Sequence, residues 1–163
     1  MDNKKYFTRV INENEGIIYK VSSLYTNSRE DRDDLYQEII YQLWKSFPTF
    51  KEKSKISTWL YRVALNTAIY QLKKSKRSIS AGFIDKEALS FIEEDHQPEE
   101  EQLKLFYAHI DHLGLMEKGI ILLYLEGKNH EEIADIVGLT KTNVGTRISR
   151  IKDKLKTQIN KTN

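Results

Sequence analysis

Apolar residues recur three or four positions apart along most of this chain, and nowhere do they alternate with polar ones over the length of a strand. That spacing follows the 3.6-residue turn of a helix, so every apolar stripe needs a helical neighbour to cover it, and the pattern predicts an all-α protein. Punctuation agrees, because 2 Pro and 7 Gly in 163 residues leave few obligatory breaks. A first helix is expected from about Lys4 to Tyr25, with Phe7, Ile11, Ile18, Val21 and Tyr25 facing inward. Ser28 is placed to cap a second, "REDRDDLYQEIIYQLWKSF", whose acidic first turns suit the positive end of a helix, and Pro48 stops it. After the loop "TFKEKSK" a third is expected from about Ile56 to Lys76, capped by Ser54 or Ser57.

From Arg77 to Gln97 the period fails and acid dominates, as in "DKEALSFIEEDHQ". The chain therefore divides into a domain over 1–77, an acidic linker over 78–97 and a second domain over 98–163. Charge follows a similar division. Residues 1–80 hold 15 Lys/Arg against 9 Asp/Glu, residues 81–103 hold 1 against 8, and residues 104–163 hold 10 against 7. Two mildly basic blocks thus flank an acidic one, a distribution suited to a polyanion but also to a plain solvated surface. Pro98 followed by "EEEQ" opens the second domain, where four helices are expected at roughly 98–113, 116–126, 130–137 and 141–157.

Several classes of chemistry find no support. Without cysteine there are no disulfides, thiolate metal sites or cysteine nucleophiles. His109 and His112 lie three apart on one expected helix, but no second pair of ligands accompanies them, and neither a Gly-rich phosphate loop nor a nucleophile motif is present. No catalytic residue, metal or cofactor is expected. No apolar run approaches the roughly 20 residues of a membrane span, and "MDNKKYFTRV" lacks the apolar core of a signal peptide, so a soluble cytoplasmic protein is expected.

The last two helices read as a helix-turn-helix. Ile133, Ala134 and Val137 form an inward face, Gly138 permits a left-handed turn and Thr140 caps the following helix. At about 100° per residue, Val144, Ile148, Ile151 and Leu155 share one stripe, while Thr142, Thr146, Ser149 and Arg150 lie opposite, with Asn143 and Arg147 at the edge. Short hydroxyl and amide side chains beside arginines suit base edges and phosphates, although an ordinary helical hairpin could carry the same polar face. Gly145, about 100° from Val144, lies on the flank between the two sides. A close approach to DNA or to a neighbouring helix would justify it.

Two features mark the first domain. In the second helix Leu35, Tyr36, Ile39, Ile40, Leu43 and Phe47 share an inward face, leaving Asp34, Gln37, Glu38 and Tyr41 outside and Trp44 at the border. That acidic side edged by tryptophan would fit another protein's basic helix, or simply face water. In "FPTFKEKSKISTWLYRVALN", Phe50, Trp59 and Tyr61 are interleaved with Lys51, Lys53, Lys55 and Arg62, the mixture that unpaired nucleic acid needs. Periodicity alone assigns Trp59 to the core.

These stretches, "DRDDLYQEIIYQLWKSFPTFKEKSKISTWLYRVALNTA" and "YLEGKNHEEIADIVGLTKTNVGTRISRIKDKLK", resemble the sigma-70 family of bacterial RNA polymerase sigma factors, specifically the two-lobe extracytoplasmic-function group. The resemblance covers nearly the whole chain and rests on both motifs in this order. It implies that Asp34, Leu35, Gln37, Glu38, Leu43 and Trp44 bind the coiled coil of the polymerase beta-prime clamp. It further implies that Phe50, Lys51, Ser54 and Lys55 with Trp59, Arg62 and Asn66 help to melt the minus-10 promoter element and hold a flipped base. The helix carrying Lys141, Thr142, Asn143, Thr146, Arg147, Ser149 and Arg150 matches the minus-35 reader, which also meets the polymerase beta flap, and the acidic linker matches the segment that threads the active-site cleft. Partners implied are core RNA polymerase and promoter DNA, with an anti-sigma factor and, where minus-35 reading is weak, an additional DNA-targeting protein. The chain departs from the family pattern at Glu52 and Lys53, where members often carry Gly then an acidic residue, and at Gly145, where many carry a basic or long polar residue. Promoter sequence therefore does not transfer. Two rivals stand beside this reading: a helix-turn-helix regulator that binds duplex DNA without polymerase, against which the Asp34 to Trp44 face argues, and a protein-only adaptor, against which Thr142 to Arg150 argues.

Overall fold

The computed structural model describes residues 3–50, 55–78 and 108–162, and the described residues are helical with short connections. Two compact units divide the chain, Met1–Phe91 and Ile92–Asn163. The expected acidic linker and the helix start at Pro98 lie outside the described residues, apart from the linker's first position, Ser78.

In the first unit the expected single N-terminal helix is two, α1 (Asn3–Glu13) and α2 (Glu15–Leu24). The break falls at Asn14, whose side-chain amide donates to the Val10 carbonyl at 2.8 Å while its backbone tightens to three-residue bonds, Asn14 N to Ile11 O at 3.1 Å and Ile17 N to Asn14 O at 3.2 Å. Asparagine competes in this way for helix carbonyls, and the apolar phase runs on through the break, which is why periodicity misses it. All five inward candidates are buried. Helix α3 (Arg29–Ser46) is capped as expected, with Asp31 N donating to Ser28 Oγ at 3.0 Å, and passes into a single 3₁₀ turn, Phe47–Thr49, at Pro48.

Helix α4 (Ile56–Ser78) starts directly after Lys55, so Ser57 lies inside the first turn and is not the cap; Ser54 is outside the described residues. It packs on α2 and α3, which also pack on each other. Ile18, Val21, Ile39, Leu43 and Leu60 are fully buried there, and each large aliphatic chain withdrawn from water contributes about 1.5–3 kcal/mol. Ala64 and Ala68, also fully buried and one turn apart, let α4 approach its neighbours closely.

The second unit contains α5 (Leu115–Leu125), α6 (His130–Val137) and α7 (Lys141–Thr162), each packed on the other two. Of the expected helix over 98–113, residues 108–113 are described: 108–110 are helical, and 111–113 form a turn closed by Leu113 N to Ile110 O at 2.8 Å, so the helix ends three residues earlier than expected. Two left-handed glycines shape the connections, Gly127 at φ 85° and Gly138 at φ 77°. Asn129 accepts from Glu132 N at 2.8 Å and starts α6, while Thr140 Oγ1 accepts from Asn143 N at 3.1 Å and starts α7. The inward face of α6 is Ile133, Ala134 and Ile136; Val137, the last residue of the helix, is only half-buried. Val144, Ile148 and Ile151 are buried as the stripe requires.

Candidate nucleic-acid interface

In the first unit the 3₁₀ turn at Pro48 directs Phe47 inward, and a run of rings forms around it. Trp44 meets Phe7 edge-on at 5.0 Å, Phe7 meets Phe47 at 5.4 Å, Phe47 lies 6.1 Å from Trp59, and Phe50 stacks on Trp59 at 4.8 Å and 29°. Phe50 N donates to Phe47 O at 3.0 Å, fixing where the second ring lands. The consequence corrects one expectation. Trp59 is only 7% exposed, with Phe50 lying over it, so Trp59 belongs to the core as periodicity assigned it and Phe50 is the ring nearer solvent.

Beyond the buried Trp59, α4 carries an outward stripe at three- and four-residue steps through Arg62, Asn66, Tyr70 and Lys73. Asn66 and Lys73 are exposed, Arg62 is half-buried and Tyr70 is 63% exposed. Lys55 is exposed at the start of the same helix, whereas Lys51 and Ser54 lie outside the described residues. The set implied by the resemblance ends at Asn66, although the basic run "KKSKR" from Lys73 to Arg77 already suggested phosphate contacts or a favourably charged helix end. Adding four and seven to that number would have reached Tyr70 and Lys73, a ring and a cation on the same side.

On α3 the residues expected to meet the polymerase divide. Asp34 and Gln37 are exposed, Glu38 is half-buried and Trp44 is 44% exposed, with Tyr41 also exposed among them. Leu43 is 0% exposed and offers no surface to a partner, whereas Leu35, also buried, lines the groove between α3 and α4. Both lie on the apolar stripe, and covering it is what holds α3 to the unit. Asp31, Asp34 and Glu38 of α3 line a groove together with Thr26 and with Gln71 and Leu72 of α4. Three carboxylates along one wall, one turn apart, create a negative trough suited to a basic helix.

In the second unit α7 presents Lys141, Thr142, Asn143, Thr146, Ser149 and Arg150 as exposed side chains. Arg147 is half-buried and its Nε donates to Asn143 Oδ1 at 2.8 Å, which restrains the guanidinium along the helix. The Thr146 hydroxyl donates to Thr142 O at 3.1 Å and retains its acceptor lone pairs. Two contacts anchor α7 from behind: Lys154 Nζ reaches both carboxylate oxygens of Glu117 at 3.0 and 3.1 Å, and the Lys152 ammonium sits 4.5 Å from the centre of the Tyr124 ring. Gly145 faces the neighbouring helix. A Cβ built on it would meet the imidazole of His130, the first residue of α6, at 3.4 and 3.5 Å. No group of three or more metal-ligating side chains occurs among the described residues.

The chain matches two protein families, Sigma-70 region 2 over residues 10–78 and Sigma-70, region 4 over residues 110–155. It is 28% identical over 162 residues to the RNA polymerase sigma factor SigV of Bacillus subtilis, an alignment covering 97% of this chain and 93% of that one. It is 29% identical to the ECF RNA polymerase sigma-E factor of Haemophilus influenzae, covering 96% and 88%. Among solved structures it is similar to the sigma factor RpoE of Bartonella quintana, determined with the anti-sigma factor NepR, at a TM-score of 0.73 and 19% identity over 96% of each chain. It is also similar to CnrH, determined with the cytosolic domain of CnrY, at 0.70 and 18% over 99% of this chain and 92% of that one.

Proposed function

This chain belongs to the sigma-70 family, in its extracytoplasmic-function group, and on that premise we propose that it binds core RNA polymerase, directs it to a class of promoters and helps to open the DNA. The observation that carries the reading is the order of regions 2 and 4 in one chain, each in a unit whose exposed side chains suit a nucleic acid. It is an initiation factor, with no reaction of its own.

The first unit would hold the polymerase beta-prime coiled coil through Asp34, Gln37, Glu38 and Trp44, the exposed members of the expected set. Phe50, Lys55, Arg62 and Asn66 would meet the minus-10 element, joined by Tyr70 and Lys73 further along α4. Opening a duplex costs a few kcal/mol per unstacked step, roughly, and stacking on an aromatic side chain returns about 1–3 kcal/mol per base. Phe50, backed by Trp59, supplies such a face at the surface, and the cations along α4 neutralise the separated strand's phosphates. In the second unit α7 would read the minus-35 element with Lys141, Thr142, Asn143, Thr146, Arg147, Ser149 and Arg150, and the unit would meet the beta flap. Both solved relatives were determined with a partner protein, one of them named as an anti-sigma factor, which supports an anti-sigma partner here. No helix among the described residues is long and apolar enough to cross a membrane, and the cytoplasm, where RNA polymerase works, is the compartment this role requires.

The test is reconstitution. Core polymerase supplied with the chain should retain it through gel filtration and start transcripts at sites absent with core alone. A chain that elutes apart from core, or that leaves the start sites unchanged, overturns the reading.

A further inference from the structure

Gly145 interrupts an otherwise continuous polar flank of α7. At about 100° per residue, Lys141, Gly145 and Ser149 follow one another along that flank with Thr142 beside them, and the other three are exposed. The gap is not empty. The imidazole of His130 borders the place where a side chain on residue 145 would begin, in van der Waals contact with the Cβ position at 3.4 Å (Nδ1) and 3.5 Å (Cε1). His130 is half-buried, so its ring is supported by the unit while part of it still meets solvent.

We propose that His130 replaces the side chain missing at Gly145 and contacts promoter DNA at the minus-35 element, a role that rests on α7 reading that element. A histidine ring offers one nitrogen to donate and, when neutral, one to accept, and DNA presents acceptors at close range as purine N7 and O6, thymine O4 and phosphate oxygens. Placing the ring on α6 has a consequence that a long residue at 145 would not have. The first turn of α6 is pinned by the Asn129 and Glu132 capping pair, so the imidazole is held from outside the reading helix and loses little freedom on binding. Glycine leaves this flank of α7 bare beside the ring, which stands at van der Waals distance from the position of a Cβ at 145. Gly145 and His130 therefore act as one reading position built from two helices.

The experiment uses the chain assembled with core polymerase and a promoter library randomised across the minus-35 element, with His130→Ala and His130→Gln beside the native chain. His130→Ala should weaken binding to the preferred element by about fivefold, the effect of one hydrogen bond, while His130→Gln, which keeps a donor, recovers part of the loss. Relaxed preference at one or two base pairs assigns the contact to a base edge; a uniform loss across the library assigns it to a phosphate. If His130→Ala binds the library as the native chain does, within twofold and with the same preferences, the imidazole is only a packing group and the proposal is overturned. If the native holoenzyme itself shows no dependence on the minus-35 element, the reading of α7 falls and this contact with it, an outcome distinct from the first.

Discussion

Gly138 and Gly145 lie seven residues apart in one helix-turn-helix and stand under different constraints. Gly138 has φ 77°, where an added Cβ meets no atom within 4 Å but the backbone itself is strained for any L side chain. Gly145 is ordinary helix, and an added Cβ meets only the His130 ring at van der Waals distance. Alanine should therefore separate them. Gly138→Ala is expected to cost about 1–2 kcal/mol through the left-handed backbone, whereas Gly145→Ala should stabilise by about 0.5–1 kcal/mol through reduced freedom of the unfolded chain. Thermal unfolding of the two variants reads this directly, and a destabilised Gly145→Ala chain would mean that His130 cannot yield even tenths of an ångström. The sequence carried the first distinction, because Gly138 stands between a helix end and a capping threonine. It could not carry the second, since the His130 contact depends on how α6 crosses α7, fifteen residues away along the chain and invisible to any local pattern.

At the scale of elements, helix positions were legible wherever a stop or cap was chemical. Ser28, Pro48, Gly138 and Thr140 each act through one backbone bond or one forbidden torsion, and each falls where its chemistry dictates. Periodicity also placed Leu35, Leu43 and Trp59 inward, and it was the family resemblance that assigned them to interfaces. All three carry side chains fit for an interface, yet each is buried because the apolar face of its own helix has first claim on it. The exposed neighbours are then the useful probes. Asn66 contributes little to the core, so Asn66→Ala should leave the unfolding temperature within a degree or two; Trp59→Ala, which empties a large buried site, should cost about 3–5 kcal/mol and cannot separate stability from function. On a duplex promoter, Asn66→Ala and Phe50→Ala are expected to reduce open-complex formation by about tenfold, roughly one weakened contact to an unstacked base. On a template already mismatched across the minus-10 element the loss should be small, because the unstacking cost has been removed in advance. Permanganate footprinting of both templates measures this, and equal losses on the two would argue that these residues bind DNA without helping to open it.

For the whole molecule the governing quantity is charge and its placement. A net +2 spread over 163 residues would hold a polyanion weakly, but residues 81–103 concentrate 8 carboxylates against a single Lys or Arg between two basic blocks. Joined by the chain to both blocks, these carboxylates would compete with DNA phosphates for the same cations. The free chain should then bind DNA less well than its lysines and arginines imply, and engaging polymerase, which the family resemblance has this segment enter, would remove the competitor. Replacing the 8 acidic residues of 81–103 by their amides tests the argument without touching the described parts of either unit. Non-specific DNA binding by the free variant, followed by fluorescence anisotropy at about 50 mM salt, should tighten at least tenfold, and the advantage should shrink towards nothing as salt screens the tether and weakens phosphate contacts alike. An unchanged affinity at low salt would show that the acidic block does not reach the basic surfaces, leaving the weak net charge alone to keep the free factor off the chromosome.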